Sequence, residues 1–210
     1  MISPGSFRVD NKLEFIKISS QTPFPSDSSV LVDQEFSTST GIKLKVVQAL
    51  SRENESNPDT LFVEYTDDSV GSETGTRVSS GETLTSTDGT YVLDVQSINT
   101  NSNPAVGLGS SIQVDEGHFF VQGRVVYCPT QRLVFRKYET DASSRFGFVI
   151  SQDIVTVDDD QTLYDNQGET PNLTSPGADR YRIRLTLADA RTTTQDKNFI
   201  PIIEVQGGQI

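Results

Sequence analysis

Apolar and polar residues alternate with a period of two along most of the chain. Residues 42–50 (IKLKVVQAL) put Ile42, Leu44 and Val46 on one face and Lys43 and Lys45 on the other, as a half-buried strand does. Residues 60–66, 91–98, 111–115, 118–127, 132–138, 146–157, 181–187 and 199–205 read the same way and are rich in Val, Ile, Tyr, Phe and Thr. Turn signals separate them, among them Asn57-Pro58-Asp59, Asn103-Pro104 and Cys128-Pro129-Thr130. Asp88-Gly89, between Leu84 and Val92, predicts a tight hairpin, and 118–127 with 132–138 predicts a second one across Pro129. Helix formers over 45–55 leave a short helix open there, against a strand running on from Gly41. Asp158 to Asp160 can cap a helical turn within 158–166. The expected fold class is all-β: antiparallel sheets, as a sandwich or an open barrel-like arrangement, with at most one short helix. Long polar loops or twisted hairpin arms are expected at 67–90 and 99–110. A boundary near 100–110 divides the chain into a polar β-rich region, 1–105, and a β domain, 106–210, with one continuous unit as the alternative.

Composition changes this picture in two ways. The 210 residues carry 29 acidic and 17 basic side chains, a formal net charge of −12. Coating nucleic acid or an anionic membrane needs clustered Lys and Arg, so neither is expected as a partner. Apolar residues make up 34%, while Ser (24) and Thr (22) together supply 46 positions. A core this thin points to burial against partner chains. No apolar run reaches the ~20 residues of a membrane span, and the first 20 residues lack the features of a signal peptide.

Candidate chemistry is sparse. Asp158, Asp160, Thr162 and Glu169 fall at positions 1, 3, 5 and 12 of a calcium-loop pattern. Position 6 is Leu163 rather than Gly, so Asp158, Asp160 and Glu169 remain weak cation candidates in what reads as a solvated acidic loop. No metal and no cofactor is expected. Cys128 is the single cysteine and His118 the single histidine, which leaves no disulfide framework, zinc ribbon or recognisable triad. The segment GLGSS at 107–111 lacks the ending of a phosphate loop. Arg180, Arg182 and Arg184 alternate with Tyr181, Ile183 and Leu185. On a strand this is one charged and one apolar face, suited to acidic neighbours or a partner chain. No catalytic residue is assigned.

Several segments resemble a domain of unknown function found in large virion structural proteins of contractile-tailed bacteriophages. They are Phe119-Phe120-Val121-Gln122-Gly123, Arg145-Phe146-Gly147-Phe148, Asp153-Ile154-Val155-Thr156 and Leu163-Tyr164-Asp165-Asn166. Ser175-Pro176-Gly177-Ala178-Asp179-Arg180 with the strand YRIRLTL after it, and 198–205, continue the likeness, which spans 117–207. Pro176 and Gly177 suit a tight turn and Asp179 and Arg180 the start of the strand, so these four read as architectural.

The resemblance implies a non-enzymatic structural protein of a phage tail, at the baseplate or at fibre attachment. It would reside in the virion, partnered by other tail or baseplate proteins and by copies of itself. It also implies that the chain is a segment of a longer protein. The alternative is a tail module that binds host-surface glycans, with Tyr91, Tyr138 or Tyr164 as stacking platforms.

Overall fold

The structure, a computed structural model, describes residues 5–55, 57–66, 77–141, 143–164, 178–193 and 198–210. Its strands are β1 (Phe7–Lys17), β2 (Glu35–Thr38), β3 (Lys43–Leu50), β4 (Thr60–Tyr65), β5 (Thr83–Ser86), β6 (Val92–Asp94), β7 (Val106–Val114), β8 (Gly117–Val121), β9 (Arg124–Cys128), β10 (Gln131–Arg136), β11 (Ser144–Val155), β12 (Arg180–Asp189) and β13 (Phe199–Val205). Among the described residues the helical content is two 3-10 turns and one four-residue α-helix, α1 (Ala190–Thr193). Every strand pairing is antiparallel, as the alternation predicts. Eight strands form one sheet in the order β10-β7-β1-β4-β3-β2-β5-β6, three form a second, β12-β11-β13, and β8-β9 is a separate hairpin.

β1 lies near the middle of the large sheet, between β7 and β4. Its pairing with β7 carries an extra residue between Asp10 and Leu13. An extra residue reverses which side chains face which way. Before it, Phe7 and Val9 pack into a core with Ile112, Val114, Phe146, Phe148 and Leu187. Beyond it, Ile16 joins Leu44, Val46, Leu61 and Val63 in a second core on the same face. Leu13 and Phe15 turn to the opposite face and pack with Phe62 and Tyr138. One strand thus feeds all three apolar clusters.

Two charged side chains of β1 are almost fully buried, Glu14 at 3% exposure and Lys17 at 3%. The Glu14 carboxylate accepts from the Tyr65 hydroxyl and, at 3.0 Å, from Arg77 Nη1. Burial pushes the Glu14 carboxyl above its ordinary range, against the pull of those two donors. Lys17 Nζ donates to Asn103 Oδ1 at 2.8 Å and sits 4.1 Å from the centre of the Tyr138 ring. Burial pushes its ammonium down.

The 45–55 segment is strand to Leu50, as the alternation over 42–50 predicts, and Leu44, Val46 and Ala49 all reach the core. The structure departs from the sequence reading at three places. The expected polar loop at 99–110 gives way to strand at Val106. Gly107 fits an aromatic neighbour, since a Cβ on it would lie 2.8 Å from the Phe15 ring. The run 118–127 is not one strand paired with 132–138. It folds back on itself at Gln122 and Gly123, both with positive φ (50° and 81°), which is the geometry a two-residue hairpin turn requires. β10 instead pairs with β7. β1 itself carries no expectation from the sequence. The Asp88-Gly89 hairpin is present, joining β5 to β6. The large sheet holds strands from both sides of residue 105.

Gly147 in β11 marks the closest backbone approach. Opposite it, the pairing with β13 slips by one residue at Pro201, and a Cβ on Gly147 would lie 1.9 Å from the Ile200 carbonyl oxygen. Gly147→Ala should lower stability by about 1–3 kcal/mol, the usual cost of overpacking, in urea unfolding of the intact chain. A variant as stable as the wild type would contradict this packing.

Candidate functional site

The hairpin β8–β9 is apolar on both faces. Phe119, Val121, Val126 and Cys128 point into the core shared with the three-stranded sheet. On the outer face Phe120, 77% exposed, stands opposite Val125, with Tyr127 beside it. In the three-stranded sheet Ile154 stands opposite Tyr181, both exposed, and β13 exposes Ile200 and Ile202. A cleft of about 540 Å³ separates β9 from β12. Val126 and Leu163 supply apolar walls, and Arg124, Arg180 and Arg182 with Asp160 supply charge of both signs. The Arg124 guanidinium crosses from β9 to lie 4.7 Å from the Tyr181 ring centre, a cation–π contact.

Charge in this region is arranged by strand periodicity. Arg182 pairs with Asp153 directly across the ladder, Nε to Oδ1 at 3.0 Å and Nη2 to Oδ2 at 2.5 Å. Arg184 reaches the same carboxylate at 3.2 Å. The Arg182 hydrogen bond holds the Asp153 carboxyl below its ordinary range. Arg124 and Arg180 take part in none of the ion pairs among the described residues.

Of the residues singled out from sequence, the structure brings Asp160 and Arg180 together on the wall of the cleft. Asp158 lies in the turn after β11. Asp160 caps a 3-10 turn at Gln161–Leu163, accepting from the Thr162 N–H at 3.0 Å and its hydroxyl at 2.7 Å. Glu169, Pro176 and Gly177 lie outside the described residues. Among the described residues no group of three or more His, Cys, Asp or Glu is placed to hold a metal ion. Asp179 is exposed, and Arg180 opens β12 opposite Val155.

His118 packs against the Tyr127 ring, centroids 5.5 Å apart. Cys128 is fully buried; burial pushes its thiol up, away from reactivity, and Gln131 Nε2 donates to its sulfur at 3.1 Å. Tyr138 stacks edge-on against Phe15 at 4.7 Å, and Tyr91 packs on the first core, so neither presents a free ring face. The exposed rings are Phe120, Tyr127 and Tyr181. Their signal in the sequence is HFFVQGRVVY, whose apolar residues occupy both strand faces when one core needs only one.

A family model matches residues 81–210, and its description is a domain of unknown function, DUF4815. The chain belongs to this family. The matched DUF4815 region contains β8 to β13 and the whole of the cleft. No curated protein and no solved structure matches the chain significantly. Among the described residues, no helix is long and apolar enough to cross a membrane.

One ion pair, with a buried carboxylate and an exposed guanidinium, ties the DUF4815 region together. Asp189, at the end of β12, accepts from Ser144 Oγ at 2.5 Å and from Arg191 Nε and Nη2 at 3.0 and 2.6 Å. Arg191 Nη2 also donates to the Phe135 carbonyl at 3.1 Å, so β10, β11 and β12 meet here. Burial raises the Asp189 carboxyl, but the hydrogen bonds from Arg191 and Ser144 outweigh it and leave the group below its ordinary 3.8. A depressed carboxyl contributes stability above its unfolded value that is lost as pH falls through the folded one. Asp189→Asn should therefore cost about 2 kcal/mol at pH 7 and flatten the loss of stability below about pH 4. Urea titrations at pH 7 and pH 3 measure both, and an unchanged acid slope would refute the assignment.

Proposed function

We propose that the chain is a structural component of a bacteriophage tail, at the baseplate or at fibre attachment, acting through protein–protein interfaces. The observation that carries the reading is the placement of its exposed apolar side chains. Among the described residues eleven large hydrophobic side chains are exposed, and eight of them lie between Phe120 and Ile210, on the β8–β9 hairpin, the three-stranded sheet and the C-terminus. Apolar side chains concentrated in this way mark contact surfaces. The virion setting is supported by the resemblance of residues 117–207 to phage structural proteins. On this reading the neighbours are other tail proteins and further copies of the chain, and the place of residence is the virion.

The outer face of the hairpin provides the test. Phe120→Ser with Val125→Ser removes exposed apolar groups that add little to the monomer, so stability should change by no more than about 0.5 kcal/mol for each substitution. Incorporation into phage particles, measured by quantitative mass spectrometry of purified virions, should fall at least tenfold. Normal incorporation of the double variant, or absence of the wild-type chain from particles, would overturn the proposal.

A further inference from the structure

The outer face of the β8–β9 hairpin carries a knob beside a hole. Phe120 stands opposite Val125 on the ladder, so the two side chains share one face. That face is turned outward, because Phe119, Val121 and Val126, of the opposite parity, fill the core. Phe120 is the most exposed large apolar side chain described, at 77%.

The hole is the cleft, one strand away. Val125, the cross-strand neighbour of Phe120, lines it together with Tyr127 and Tyr181. Val155, Leu163 and Ile183 add apolar wall. Cα atoms of β9 and β12 come within 8 Å of each other, whereas a strand bonded on both sides needs roughly 10 Å between its neighbours. The gap therefore admits a side chain and not a further strand. Its volume of about 540 Å³ is what remains with the Arg124 guanidinium already lying on the Tyr181 ring.

We propose that two copies of the chain meet at this face about a twofold axis, with Phe120 of each copy seated in the cleft of the other. The proposal rests on the interface reading above and names the partner and the mode of one contact. A twofold contact uses the same patch on both copies, so the patch must hold both a projecting group and its receptacle. This patch holds both, a single strand apart. Aromatic side chains seated in pockets at the centre of an interface carry much of its energy, and each buries about 150–250 Å². Val125, Tyr127 and Tyr181, with Ile154 opposite Tyr181, extend the apolar surface around the two anchors. Charge favours the same face. A chain of net charge −12 sets most of its surface against a second copy. The cleft is lined instead by three guanidiniums, those of Arg124, Arg180 and Arg182, and one carboxylate, that of Asp160. Groups of both signs on a twofold face meet their opposites on the other copy.

The full chain tests this without a virion. Sedimentation equilibrium at concentrations up to about 100 µM should give a two-chain mass. Phe120→Ser, checked by circular dichroism for an unchanged fold, should weaken the association at least tenfold. Phe120→p-benzoylphenylalanine, irradiated in a mixture of isotopically light and heavy chains, should cross-link light copies to heavy ones at residues 155–163 or 180–183. A one-chain mass at every concentration would overturn the proposal. So would a two-chain mass indifferent to Phe120→Ser, or cross-links that map away from the cleft. Masses that keep growing with concentration would mark one-way insertion and contradict the twofold arrangement. If the chain is monomeric and the Phe120→Ser, Val125→Ser variant is still lost from virions, the hairpin face belongs to a different tail protein: this proposal falls and the interface reading stands.

Discussion

The strand β1 carries the constraint on which the rest of the structure depends. It runs between β7 and β4, and the extra residue at Asp10–Leu13 lets its apolar side chains enter three clusters instead of one. Without that slip, Phe7 and Val9 would share a face with Leu13 and Phe15, and Ile16 would lie on the other. The two large cores on one face could not both be served. The same strand buries Glu14 and Lys17, each of which costs free energy unless it is bonded. Tyr65 and Arg77 on one side, and Asn103 with the Tyr138 ring on the other, provide those bonds. They also fix which loops and strands lie against β1.

From this frame the C-terminal layer takes its shape. β7 and β10, anchored beside β1, present Ile112, Val114 and Phe135 to the three-stranded sheet and to the β8–β9 hairpin. The hairpin and sheet cover the core without strand pairing between them, joined by a Gln152–Gln122 side-chain hydrogen bond, and a cleft lined by β9 and β12 remains between them. Of the exposed apolar residues, Val125, Tyr127 and Tyr181 line that cleft. Interior packing thus ends where interaction chemistry begins.

Much of this was legible in the alternation. The strands at 43–50, 60–65, 144–155, 180–189 and 199–205 each lie on a run with period two, and Asp160 caps the helical turn for which its position suits it. β1 was not legible, because the inserted residue breaks its period and because Glu14 and Lys17 look solvent-facing when they are buried. The first half of β7 was hidden by Gly107 and Gly109, which read as loop residues until the Phe15 ring over Gly107 explains why a side chain there would clash. The hairpin at 117–128 was hidden by its own strength: Gln122 takes a positive φ that a glutamine seldom adopts, so the run looked continuous. The cleft could not be read at all, since it depends on how two distant strands lie side by side.

The account makes β1 the element that joins both large cores into one cooperative unit, and amide hydrogen exchange on the intact chain tests this most directly. Amides of Glu14, Phe15 and Ile16 should exchange only with global unfolding, in the slowest class, together with those of Phe146 to Ile150. Exchange of the β1 amides in a faster class, with the strands before and after residue 105 opening separately, would contradict it.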